Sequence, residues 1–120
     1  MNKEELKQAA GILALTRVRN QPIDQLPAEY RPADEIEAYL VQEQVHLLLD
    51  EAGYGKRVGY KIGCTTEVMQ KFLQIDSPCS GGILNTSTNY IATSAQHQNF
   101  SHPGVAVSYT HLTLPTILLV

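Results

Sequence analysis

The chain has 120 residues, 43% of them hydrophobic and 18% charged, which bounds it to one domain or a piece of one with a modest core. Nine basic residues against twelve acidic ones give a net charge of −3, and no basic stripe or run marks a nucleic-acid or membrane-surface partner. Two cysteines are too few for a disulfide framework, and the early acids with Arg17 and Arg19 exclude a signal peptide or membrane span at the N-terminus, so a cytoplasmic chain is expected.

Residues 2–19 read as an amphipathic helix. Asn2 with Glu5 fits a capping pair, and Leu6, Ala9, Ala10 and Leu13 keep helical spacing. Pro22, Pro27 and Pro32 make residues 20–32 an extended connection. Asp34 and Glu37 open a second helix running to about Ala52, with Ala38, Val41, Val45, Leu48, Leu49 and Ala52 as its apolar stripe and Gly53 closing it. His46 falls one step off that stripe and is expected at the boundary or surface.

The stretch from Arg57 to Ile83 organises the rest. Val58, Tyr60 and Ile62 share one face of a strand at period two, and Gly59, Lys61 and Gly63 share the other. One ammonium therefore stands on nearly bare backbone, an arrangement that admits a small ligand close to the main chain. The structural alternative is a solvated edge-strand lysine beside glycines that only bend the strand. Thr65 or Thr66 then caps a short third helix ending near Gln74, whose free N–H groups favour an anion, with Val68, Met69, Phe72 and Leu73 as its inner face. Residues 76–82 read as loop, and Ile83-Leu84 and Tyr90-Ile91-Ala92 as short strands.

Zinc held by Cys64, Cys79, His97 and His102 has suitable ligand types but lacks the close cysteine pair of a structural site. No motif supports a Cys–His nucleophile, and the SPCSGG loop lacks the framing of a phosphate loop.

The order of motifs is more specific than any one of them. RP-(x)₅-AYLVQ at 31–42, GYKIGCT at 59–65, MQKFL-x-I at 69–75, SPCSGGIL at 77–84 and HPGV at 102–105 together resemble the 2-keto-4-pentenoate hydratase group. That group, with the 4-oxalocrotonate decarboxylases, belongs to the fumarylacetoacetate hydrolase superfamily. The resemblance implies a mixed α/β (α+β) fold, in which residues 1–105 form the N-terminal helical and αβ part and a catalytic β-roll is mostly missing. It implies a hydro-lyase of aromatic catabolism acting on a short 2-oxo or 2-hydroxydienoic acid with Mg²⁺ or Mn²⁺. Lys61 matches the family's catalytic lysine, and Thr65, Cys79, Ser80 and Gly81 fall at substrate-binding positions. The implied partners are a small 2-oxo acid and, for the full-length enzyme, further copies in a homo-oligomer, with neither nucleic acid nor membrane.

Two departures stand out. Cys79 replaces an aspartate proposed to assist proton transfer, which leaves room for a related activity such as a decarboxylase. Ala106 and Ser108 stand where the family supplies two metal-binding carboxylates, so no metal ligand is expected in this chain.

The tail from Val107 to Ile117, VSYTHLTLPTI, resembles the in-frame translation of a transposase adapter used in sequencing libraries. Such an adapter would begin inside the Ala106 codon and leave its first base, which a glutamate codon shares. Residues 106–120 are therefore expected to be non-native, and the polypeptide to be an inactive N-terminal fragment. A native β-strand tail with alternating Tyr109, His111 and Thr113 is the other reading of the same residues. A non-catalytic α/β interaction domain, its glycine face serving only packing, is the alternative from another functional class.

Overall fold

The computed structural model describes residues 1–91 and 93–101. They fold as a small mixed α/β domain with helices α1 (Lys3–Arg19), α2 (Glu35–Glu51) and α3 (Glu67–Leu73) and strands β1 (Arg57–Gly63) and β2 (Cys79–Leu84). The two strands form one antiparallel sheet.

Helix ends follow the local chemistry. The Asn2 side chain accepts the Glu4 and Glu5 N–H groups, and the Glu5 carboxylate accepts the Asn2 N–H at 2.7 Å, completing the capping box. Asp34 accepts the Glu37 N–H at 2.8 Å at the start of α2. All three helices close on the same pair of backbone bonds. Gln21, Tyr54 and Ile75 each donate to the carbonyl five residues back, across left-handed Asn20, Gly53 and Gln74.

Helices α1 and α2 run in the same direction. The Met1 ammonium pairs with Glu37 in the first turn of α2, while Thr16 and Arg17 border the same depression as Leu49 near its end. The proline-bearing connection between them carries the chain back, with a single 3₁₀ turn at Ala28–Tyr30. Ala9, Ala10 and Ala14 on α1 face Val41, Val45 and Leu49 on α2, and Leu84 of β2 completes the core. Small residues on one helix and branched ones four apart on the other let the axes approach closely.

The sheet register sets Gly59 opposite Ile83, Tyr60 opposite Gly82, Lys61 opposite Gly81, Ile62 opposite Ser80 and Gly63 opposite Cys79, with an irregularity between Arg57 and Gly59. Residues 79–82, expected as loop, are thus strand. Glycine and serine carry little intrinsic strand preference, and here pairing with β1 and anchorage to α2 impose it. The Ser80 N–H donates to Tyr39 Oη at 3.0 Å and its C=O accepts from Gln42 Nε2 at 3.0 Å. By contrast, Tyr90 and Ile91 form a bend rather than a strand, and Ala92 lies outside the described residues.

Three burial expectations are corrected. Ala38 and Ala52, at the two ends of the apolar stripe expected on the second helix, are exposed. Val68, Met69, Phe72 and Leu73 are all exposed, because α3 buries no residue against the rest of the described chain. His46 is buried at 8% exposure, not at the surface. Its ring lies against β2 where Gly82 has no side chain, so that a Cβ built there would come within 2.5 Å of His46 Cε1 and Nε2.

Burial, helped by the positive charges of Arg57 and Arg17 and opposed by Glu43, pushes the His46 pKa below its ordinary 6.5. Arg57 Nη1 lies 3.3 Å from His46 Nδ1, so the guanidinium donates to a neutral ring that carries its proton on Nε2. The unfolded chain then binds a proton that the folded one resists. Stability is expected to fall as pH drops below 6.5, and to gain nothing from this group above it. Melting temperatures at neutral and mildly acidic pH should converge in His46→Gln; an identical pH dependence in both proteins contradicts the assignment.

Candidate functional site

Lys61 sits at the centre of β1 with Gly59 and Gly63 on its own strand and Gly81 directly across. A Cβ built at Gly59 or Gly81 meets no heavy atom within 4 Å, and one at Gly63 meets only Cys79 Sγ, at 3.7 Å. The ammonium therefore projects from backbone that a ligand can touch, as the alternation of the strand predicts.

A shallow depression of about 400 Å³ forms around it, lined by Lys61, Gly63, Cys79, Ser80, Gly81 and Ile83 among others. Four of the five sequence-predicted residues, Lys61, Cys79, Ser80 and Gly81, are thereby brought together. Thr65 does not line it. The cap of α3 falls to Thr66, whose side chain accepts the Met69 N–H. With seven residues, α3 is too short for its N-terminus to serve as an anion seat.

The way a carboxylate would be held also differs from the sequence expectation. The Ser80 N–H is engaged by Tyr39 and is not free to orient a ligand. Since Ser80 turns both backbone groups toward α2, the alternation of an antiparallel ladder makes Lys61–Gly81 a bonded pair, and the Gly81 amide serves the sheet. What remains for an anion is the Lys61 charge over open backbone.

A larger depression of about 660 Å³ lies on the α2 side of β2, lined by Tyr39, Gln42, Ser77, Cys79 and Ser80 together with Glu35 and Asp76. Its ionised groups are both acids, so it repels an organic anion that the Lys61 side attracts.

Around Arg57 a second polar cluster ties β1 to α2. Arg57 pairs with Glu43, sits 4.7 Å from the centre of the Tyr60 ring and touches His46. This cluster packs the sheet on the helix pair, and its charges are mutually paired.

No group of three or more His, Cys, Asp or Glu side chains able to hold a metal occurs among the described residues. Ala106 and Ser108, the positions that the resemblance gives to metal ligands, lie outside them, as do His102 and the whole 106–120 tail. His97 lies in an exposed 3₁₀ turn. The donors among the described residues do not fit Mg²⁺ or Mn²⁺, which take several oxygen ligands.

Sequence reasoning missed three features. Tyr39 and Gln42, three apart on α2, anchor β2 by its backbone. Gly82 makes room for His46. Cys64 and Cys79, fifteen positions apart, bring their sulfurs to 3.5 Å. The alternation of Gly82 with the buried Leu84 was the available signal for the second. Comparison with protein-family models, curated proteins and solved structures gives no match for the chain.

Proposed function

We propose that the Lys61 face binds a small 2-oxo acid, and that residues 1–105 are the N-terminal portion of a cytoplasmic 2-keto-4-pentenoate hydratase-like enzyme. The observation that carries the binding reading is the convergence of Lys61, Cys79, Ser80 and Gly81 on one depression over side-chain-free backbone. A carboxylate and its neighbouring oxo group would lie against Gly59 and Gly81, with the ammonium neutralising the charge that builds on the oxygens. Addition of water to the conjugated double bond is the reaction that the resemblance implies. Mg²⁺ or Mn²⁺ would belong to the full-length enzyme, since the described residues do not fit it.

The exposed apolar side chains Val58, Tyr60, Ile62, Val68 and Phe72 support the same reading. They are surface of the kind that the implied β-roll would bury. The polypeptide itself is expected to show no metal-dependent hydratase turnover, and turnover by it would contradict the fragment reading. Reading the native gene beyond the Val105 codon tests the tail directly, since a Glu-x-Glu pair is expected there.

Calorimetric titration with 2-oxopentanoate tests the site itself. Loss of a charge-assisted contact in Lys61→Ala is expected to weaken binding about ten-fold or more. Equal affinity in a variant that folds normally would favour the alternative, in which the glycine face serves packing alone.

A further inference from the structure

The geometry points to Cys64 and Cys79 as a dithiol modification site that hydrogen peroxide converts to an intramolecular disulfide, tying the end of β1 to the start of β2. The inference rests on the two thiols and is independent of any substrate at Lys61.

The sulfurs lie 3.5 Å apart, already in contact. A disulfide bond of about 2.05 Å needs only a further approach of roughly 1.5 Å, within the reach of side-chain rotation. Cys64 follows the last residue of β1 in a left-handed conformation at φ 56°, which turns the chain back across the strand end. Cys79 stands opposite Gly63 in the ladder. Because Gly63 has no side chain, the Cys79 sulfur can lean over it toward Cys64; a Cβ built on Gly63 would already lie 3.7 Å from that sulfur.

The two thiols are unequal. Cys79 is exposed and Cys64 half-buried. The hydrogen bond with Cys79 and partial burial both push the Cys64 thiol pKa up. The exposed Cys79 sulfur is the one a peroxide reaches first, so Cys79 is the attacking group and Cys64 the resolving one. Cys79 attacks one peroxide oxygen, the O–O bond breaks, and a sulfenic acid and hydroxide form. Cys64 sulfur then attacks Cys79 sulfur and displaces the hydroxyl, with the thiol proton leaving to water. Two thiols and one peroxide become one disulfide and two waters.

The bridge would close a loop that holds the whole of α3. That helix buries none of its residues and is secured locally, by its caps and by Gln70 Nε2 donating to the Cys64 carbonyl at 2.8 Å. Cross-linking its two ends would give this weakly packed segment a covalent frame.

The test is to titrate the reduced protein with hydrogen peroxide, alkylate free thiols and measure intact mass without reductant. The expected product is a monomer lighter by about 2 Da with no alkylatable thiol, restored by dithiothreitol. Lys71, 82% exposed inside the loop, supplies a second readout. Tryptic cleavage after it should leave two pieces that stay joined only in the oxidised protein. Cys64→Ser should form no monomeric disulfide, and Cys79→Ser should oxidise more slowly. Peroxide that leaves both thiols alkylatable, over-oxidises Cys79 with Cys64 untouched, or gives only cross-linked dimers overturns the assignment.

Discussion

Leu49→Ala is expected to destabilise the domain by about 2–5 kcal/mol. Leu49 is 1% exposed and is the largest fully buried side chain among the described residues. It ends the row of Val41, Val45 and Leu49 that meets the alanines of α1, and Leu84 brings the sheet onto the same cluster. Alanine there removes apolar contact with both the helix pair and the strand, and the alanines opposite are too small to collapse into the gap. Since whole domains are stable by only about 5–15 kcal/mol, this one truncation should consume a large part of the total. Urea unfolding of the two proteins checks it. A loss below about 1 kcal/mol would mean that the α1–α2 contact is not the core of the fold.

Gly82→Val should be costly for the opposite reason. The added Cβ would fall 2.5 Å from the His46 ring and 3.0 Å from Arg57 Cδ. His46 is buried, and Arg57 is held by Glu43, so neither can yield freely. Overpacking of this kind costs about 1–3 kcal/mol, occasionally more. The neighbouring Gly81→Val is the internal control. No heavy atom lies within 4 Å of a Cβ at Gly81 and its φ is not positive, so this variant should not lose stability. Equal losses in the two variants would show that the sheet does not present Gly82 to α2 and Gly81 to solvent.

That contrast between adjacent glycines also marks how far the sequence could be read. Helix ends were legible because they are local. Asn2 with Glu5, Asp34 with Glu37, and Gly53 each act within a turn of the residue they serve, and each does so in the fold. The strand at Lys61 was legible from its alternation, and with it the bare platform. Strand β2 was not, because nothing in Cys-Ser-Gly-Gly favours an extended chain by itself. Its conformation comes from β1 and from Tyr39 and Gln42, about forty positions earlier.

The errors of burial have the same origin. A period of 3.6 identifies an apolar face on α3 but does not say what covers it, and among the described residues nothing does. His46 sits off the apolar stripe by sequence, yet a glycine on a distant strand opens the space that buries it. Of the candidate site, Lys61, Cys79, Ser80 and Gly81 meet in one depression, whereas Thr65 stays outside it. The role of Ser80 changes from an amide presented to a ligand to one that holds the strand on α2. The pairing of Cys64 with Cys79 was invisible at their separation until the ladder set Cys79 beside Gly63.

The central claim is that a small organic acid is held on the glycine face beside Lys61, not in the larger hollow between β2 and α2. The most direct test is to follow backbone amide resonances while 2-oxopentanoate is added. Gly59, Lys61, Gly63 and Gly81 are expected to shift together and saturably, with the response lost in Lys61→Ala. Shifts centred on Tyr39 and Gln42, or none at any concentration that leaves the protein folded, would contradict the account.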